Sequence, residues 1–135
     1  MDINDKYDQE TVMVMEKVLS KNSNCIDIGA HAGTLLSQMQ RISPKGIHYA
    51  FEPIPELFED LQTRYPDAKI YRLALSDKNG KSTFKHVINN PAYSGLKLRR
   101  YDTKDPIIED IMVDTKKLDD ELIPKLKIGS LNLEF

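Results

Sequence analysis

The run Cys25-Ile26-Asp27-Ile28-Gly29-Ala30-His31-Ala32-Gly33-Thr34 constrains the fold more than any other part of the chain. Cys25 to Ile28 is apolar except for Asp27 and reads as a short buried strand. Two glycines then form a turn, and apolar residues at helical spacing follow. A strand that enters a glycine-rich turn and leaves it as a helix is the first half of an α/β unit built on a parallel sheet.

The rest of the first half repeats that alternation. Val12, Met15, Val18 and Leu19 predict an N-terminal helix over Asp8 to Leu19, which the polar cluster Ser20 to Asn24 ends. After the loop, Leu35, Leu36, Met39 and Ile42 predict a helix that Ser43, Pro44 and Gly46 break. Ile47 to Phe51 reads as a second strand ending at Glu52, and Pro53 and Pro55 introduce a helix with Leu57, Phe58 and Leu61 on one face. A third strand is expected over Lys69 to Leu75. This order predicts right-handed crossovers, with strand 1 beside strand 2 and strand 2 beside strand 3.

Beyond Leu75 the pattern changes. Ser76-Asp77-Lys78-Asn79-Gly80 is a turn, and Ser82 to Val87 and Ile107 to Val113 alternate as antiparallel strands do, so a hairpin-like insertion is expected. The polar stretch Asn89 to Asp105 between them reads as a long loop, either over a ligand mouth or on the surface. Thr115 to Leu122 reads as a short helix, and Leu126 to Ile128 as the start of another buried strand.

Bulk properties narrow the function classes. The 135 residues fit a single domain, short for a complete doubly wound enzyme. With 19 Lys+Arg against 21 Asp+Glu, and no basic run longer than the pairs Arg99-Arg100 and Lys116-Lys117, the chain lacks the broad basic face that nucleic acid binding needs. The single cysteine, Cys25, cannot form an internal disulfide and reads as a small buried hydrophobe, which fits a reducing cytoplasm. The acidic, amphipathic N-terminus has neither a basic leader nor an apolar run long enough to span a membrane.

The glycine turn carries the chemistry. Its spacing is Asp-x-Gly-x-x-x-Gly, so Asp27 stands where a dinucleotide fingerprint has its first glycine. A carboxylate at the strand end, beside glycines that admit close backbone approach, suits a ligand with a cation and an adenosine better than one with a pyrophosphate. S-adenosylmethionine is such a ligand. Glu52, at the end of strand 2, is placed to accept from both ribose hydroxyls; the competing reading is an exposed acid favoured at a helix N-terminus. Were that ligand to give up its activated methyl, the protein would mainly have to align the nucleophile, and to receive its proton if the nucleophile is a hydroxyl. The potential bases are His31, His48, His86 and Asp77. His31, in the loop, is the best placed, with a backbone hydrogen-bonding role as its alternative. His48 is expected to be structural, and His86 and Tyr93-Ser94-Gly95, in the inserted region, read as solvated surface or as facing an acceptor. Neither a metal-ligand cluster nor a Walker-type or Gly-x-Ser-x-Gly loop is evident.

Together, Asp27 to Gly33, Phe51-Glu52-Pro53, Ala74-Leu75-Ser76-Asp77-Lys78-Asn79-Gly80 and Val113-Asp114-Thr115-Lys116-Lys117-Leu118-Asp119-Asp120 resemble the FkbM family of SAM-dependent methyltransferases, over about residues 24 to 128. The resemblance implies a Rossmann-like fold and O-methylation of a hydroxyl on a sugar or small natural-product-like acceptor. It implies that Asp27, Gly29, Ala30 and Gly33 surround the methionine part of S-adenosylmethionine, with His31 counted among the cofactor-binding residues. It places Glu52, with Pro53 beside it, on the ribose, and Ala74, Leu75, Ser76 and Asp77 beside the adenine.

The end of the chain departs from that pattern. Where the family continues with an Asp-Val-Glu-Gly-like strand, this chain reads Gly129-Ser130-Leu131-Asn132-Leu133-Glu134-Phe135, expected as a foreign or frameshifted tail. The expected whole is therefore a single partial domain over 1–135, a parallel sheet with flanking helices and an antiparallel hairpin, incomplete on its C-terminal side. Such a sheet would expose an edge, which predicts a homodimer across it. Two other functions remain: a non-catalytic module binding SAM or a nucleoside, and a fragment of an NAD-dependent oxidoreductase.

Overall fold

The computed structural model describes residues 3–88, 94–96, 106–118 and 133–134. In chain order the elements are α1 (Ile3–Val18), β1 (Cys25–Ile28), α2 (Thr34–Ile42), β2 (His48–Phe51), α3 (Pro55–Arg64), β3 (Lys69–Tyr71), β4 (Ala74–Leu75), β5 (Gly80–Val87), β6 (Ile108–Lys116) and β7 (Leu133–Glu134). β3, β2, β1 and β7 form a parallel sheet in that order, and β4, β6 and β5 form a second sheet. The protein is thus α/β and Rossmann-like, with the expected neighbours β1–β2 and β2–β3.

Burial on both faces explains why β1 and β2 read as unbroken runs and not as alternating ones. On one face Cys25 and Ala50 meet Met15 of α1, Leu36 and Met39 of α2 and Leu61 of α3. On the other, Ile26, Tyr49 and Phe51 pack with Ile28, Ile47, Tyr71, Leu73, Leu75 and Leu118. Phe51 stacks on Tyr71 with ring centroids 5.1 Å apart. α2 and α3 therefore return over the same face of the sheet, and all their connecting loops collect at its two ends.

At the end where β1 and β2 begin, two polar loops lock together. The Ser43 hydroxyl donates to Ser20 O (2.6 Å), Ile47 N donates to Asn24 Oδ1 (2.7 Å) and Lys45 N donates to Lys21 O (2.9 Å). A Cβ on Gly46 would stand 1.7 Å from Ser23 O, so only glycine lets the backbones approach this closely. His48 is buried there and its Nε2 bonds Ser43 O at 2.8 Å.

The second sheet is the expected insertion. β5 and β6 pair antiparallel from Gly80↔Thr115 to Val87↔Ile108, somewhat longer than the alternation predicted. Its inner residues Phe84 and Val113 pack with Ala74 and Ile54, which attaches the hairpin to the chain leaving β2.

Several expectations are corrected. The strand predicted over Lys69 to Leu75 is broken: β3 ends at Tyr71, and β4 leaves the main sheet to pair parallel with β6. Exposed Arg72 marks the break, while Leu73 still packs under Tyr49 and Phe51. The helix predicted from Thr115 does not start there, because Thr115 and Lys116 finish β6. Thr115 is buried and β-branched, and its hydroxyl donates to Lys78 O (2.9 Å), which holds it in the strand. Of the loop over 89–105 only 94–96 are described, with Gly95 bridging to Lys85. The strand expected at Leu126–Ile128 lies outside the described residues. Within the terminal segment, Leu133 and Glu134 form β7, in parallel register with Ile26 and Asp27 of β1. On that side of the sheet the outermost described strand is therefore β7. Among the described residues, no helix is long and apolar enough to cross a membrane.

Burial lowers the His48 pKa from its ordinary value near 6.5, against a smaller raising effect of its bond to Ser43. The unfolded chain then binds the proton first, so this contribution to stability is full above about pH 6.5 and falls as pH drops below it. Thermal melts between pH 5 and 8 should show wild type losing more stability toward pH 5 than His48→Gln. Equal pH slopes would overturn the assignment.

Candidate functional site

Strands β1, β2 and β3 succeed one another in one direction across the sheet, whereas β7 lies on the opposite side of β1. The chain's direction of winding therefore reverses at β1, and the crevice at the carboxyl ends of such strands is where open α/β sheets bind ligands. The glycine loop leaves β1 at this point.

The loop is built from left-handed residues. Gly29 has φ 74°, His31 φ 58° and Gly33 φ 85°. Gly29 N and Ala30 N both donate to Phe51 O, at 2.8 and 3.1 Å, and Gly33 N donates to Ala30 O at 2.8 Å. The two glycines are needed for different reasons. A Cβ on Gly29 would meet nothing within 4 Å, so conformation and an open approach decide that position. A Cβ on Gly33 would lie 2.7 Å from Tyr65 Cε2 and 3.0 Å from Leu61 Cδ2, so packing decides there as well.

Glu52 fastens this loop to β2. The residue is 3% exposed, which removes the reading of a solvated helix-terminal acid. Its Oε1 accepts from His31 N and its Oε2 from Ile54 N, both at 2.9 Å. Burial pushes its carboxyl above the usual range, and these two N–H donors pull it back. Each oxygen keeps a second lone pair, so the carboxylate still has acceptor capacity for a pair of hydroxyls. Asp27, also buried, sits in β1 in register with Ala50 and Glu134. Burial, helped by Asp27, pushes the Cys25 thiol up to about 11, so this cysteine is an inert packing residue.

The predicted site residues divide into groups. Gly29 and Ala30 are held by Phe51 O, Gly33 by Ala30 O and His31 by Glu52, with Asp27 in the strand that leads into them. Buried Pro53 follows Glu52, and Ala74 is tied to the same corner through Ile54. Leu75 packs in the cluster of Phe51 and Tyr71. Ser76 N donates to Lys116 O (2.9 Å) and the Ser76 hydroxyl to Asp77 Oδ1 (3.2 Å), so no hydrogen bond links Ser76 or Asp77 to the glycine loop among the described residues. A cavity of about 290 Å³ opens on the hairpin side of Pro53, lined also by Arg72, Lys81, Met112, Val113 and Asp114. Of the other bases considered, His48 lies at the far end of β2, and His86 is half-buried in β5 in register with Glu109. Ser94 Oγ accepts from Val87 N at 2.8 Å.

Sequence reasoning missed Arg64 and Tyr65. Arg64 Nη2 donates to Ala32 O, and the Tyr65 hydroxyl donates to Gly33 O at 3.3 Å. In sequence an Arg in the last turn of a helix signals only a favourable interaction with the helix dipole, so nothing local marked it.

The arrangement explains His31 through its backbone. Left-handed geometry is unfavourable for most side chains, and His, Asn and Asp tolerate it best. We expect His31→Asn to change stability by under about 0.5 kcal/mol, whereas His31→Val, β-branched at positive φ, costs about 1–2 kcal/mol. Denaturant unfolding of both variants checks this, and equal losses would show that the side chain matters more than its backbone angle.

A family model described as "Methyltransferase FkbM domain" matches residues 27–133. A search of curated proteins finds no match. Among solved structures, TYW2 of P. horikoshii in complex with MeSAdo is 20% identical with a TM-score of 0.42, over 53% of this chain and 29% of that one. A fibrillarin/Nop5p complex is 15% identical with a TM-score of 0.40, over 56% of each chain. A SAM-dependent methyltransferase from Aquifex aeolicus is 20% identical with a TM-score of 0.37, over 52% of this chain and 38% of that one. The chain thus spans less than two thirds of the length of each. The match over residues 27–133 takes in β1, the glycine loop, Glu52 and the hairpin, and by it the chain belongs to the FkbM family of methyltransferases, whose cofactor is S-adenosylmethionine.

Proposed function

We propose that this chain binds S-adenosylmethionine across the glycine loop and Glu52 and serves methyl transfer to a hydroxyl of a sugar or small natural-product-like acceptor. The observation that carries the reading is the buried Glu52 carboxylate, bonded to the loop at the winding reversal beside β1. Its surplus acceptor capacity suits the two hydroxyls of a ribose. Gly29 offers open space next to a backbone that an adenosyl ligand can approach. The buried carboxylates of Asp27 and Glu52 favour a ligand bearing positive charge. The residues present therefore fit the cofactor.

When bound, that cofactor supplies a methyl group already activated on a sulfonium. The protein's part is orientation: the loop fixes one end of the ligand, Glu52, with Pro53 beside it, fixes its sugar, and the Ala74 to Asp77 segment flanks the base. The acceptor hydroxyl must also lose a proton. His31 is the candidate in the loop, although its backbone N–H is committed to Glu52.

Calorimetric and thermal-shift titrations with S-adenosylmethionine, S-adenosylhomocysteine and NAD test the reading. Ligand at a hundred times its dissociation constant should add about 2.7 kcal/mol to stability. Glu52→Gln keeps the side chain's size but turns one acceptor into a donor, and should weaken the adenosyl ligands at least about tenfold. Binding by NAD alone would favour the oxidoreductase reading. Adenosyl binding without turnover across an acceptor screen would favour a non-catalytic module, and no binding by folded wild type would overturn the proposal.

A further inference from the structure

We propose that Arg64 and Tyr65 are positioning residues that hold the glycine loop in its ligand-receiving shape by gripping its carbonyl groups. Glu52 and Phe51 O restrain the N–H groups of Gly29, Ala30 and His31. Left-handed residues at 29, 31 and 33 give such a loop many competing shapes unless its later peptides are restrained too. Arg64 Nη2 supplies this at Ala32 O, and the Tyr65 hydroxyl at Gly33 O (3.3 Å). The Tyr65 ring also presses against Gly33 so closely that no Cβ fits.

The grip is itself built. Asp60 Oδ2 accepts from Arg64 Nε at 2.9 Å and from Nη2 at 2.6 Å, which aims the guanidinium. The guanidinium carbon lies 5.2 Å from the Tyr65 ring centroid, so the two gripping side chains stack on each other. At its other end α3 is anchored by Ile54 N on Glu52 Oε2. One helix therefore ties both Glu52 and the loop's carbonyls into a single closed arrangement. The Arg64 side chain is 43% exposed, so removing it takes little from the core. Its effect belongs instead to the fraction of molecules whose loop is competent to bind, and apparent affinity falls with that fraction.

The inference rests on the SAM-binding reading for its affinity arm only, because loop order is measurable without ligand. Hydrogen exchange of the Ala30, His31 and Gly33 amides and calorimetric affinity for S-adenosylhomocysteine would be measured for wild type, Arg64→Ala, Arg64→Lys and Tyr65→Phe. Arg41→Ala, which breaks the remote pair with Glu16, is the control. Arg64→Ala should speed exchange at the loop amides and weaken the ligand, each by about three- to tenfold. Arg64→Lys should recover part of both, Tyr65→Phe should show a smaller loss, and Arg41→Ala should change neither. Wild-type exchange rates at the loop in Arg64→Ala would overturn the proposal, as would a rise spread evenly over β1 and α2, which marks general destabilisation. If wild type binds no adenosyl ligand, the functional reading fails and the exchange data alone decide the role of Arg64.

Discussion

A carboxylate buried at the end of β2 is the constraint around which the ligand end of this protein is arranged. Burying Glu52 disfavours its charge, and charged groups out of water need hydrogen-bond donors held in place. Both donors are backbone N–H groups from different segments: His31 in the loop after β1 and Ile54 at the start of α3. Satisfying one side chain thereby fixes the separation of β1's loop from α3. His31 must turn left-handed in the same stretch, between left-handed glycines at 29 and 33, and histidine is among the side chains that tolerate that conformation best.

The opposite end of the same strands buries polarity in another way. Its loops satisfy one another through short backbone and hydroxyl bonds, and its titratable residue, His48, is driven toward the neutral form. There most polar groups are matched among themselves, His48 Nδ1 excepted, and the backbones approach to the limit set by Gly46. At the Glu52 end, acceptor capacity is left over and a glycine faces open space. The two ends therefore differ in openness: loop backbones close on each other at Gly46, whereas nothing stands within 4 Å of a Cβ placed on Gly29.

The features legible in sequence were those whose cause is local. A buried strand, a glycine turn that needs positive φ and a period-2 hairpin each leave a signature within ten residues or so, and Cys25–Ile28, the turn and β5–β6 lie where that signature puts them. Glu52 was legible because its place at a strand end, relative to the loop, follows from element order. What escaped depends on partners distant in sequence. The break between Tyr71 and Ala74 exists because β4 pairs with β6, some forty residues on, and nothing within Lys69–Leu75 announces it. β7 is set by its register with Ile26 and Asp27. Arg64 and Tyr65 reach back 32 positions to the loop.

The hairpin links these two levels. Its inner residues close on Ile54 and Ala74, and Ile54 is also the residue whose N–H holds Glu52. Packing of the second sheet therefore bears on the same peptide that orients the buried carboxylate, so the insertion forms part of the site's support. A substitution at Phe84 or Val113 would reach Glu52 through one shared residue, whereas one on the outer face, at Met112, would meet only the rim of the cavity beside Pro53. The hairpin is thus coupled to Glu52 by contact and burial at Ile54, so that β5 and β6 form a wall anchored to the end of β2.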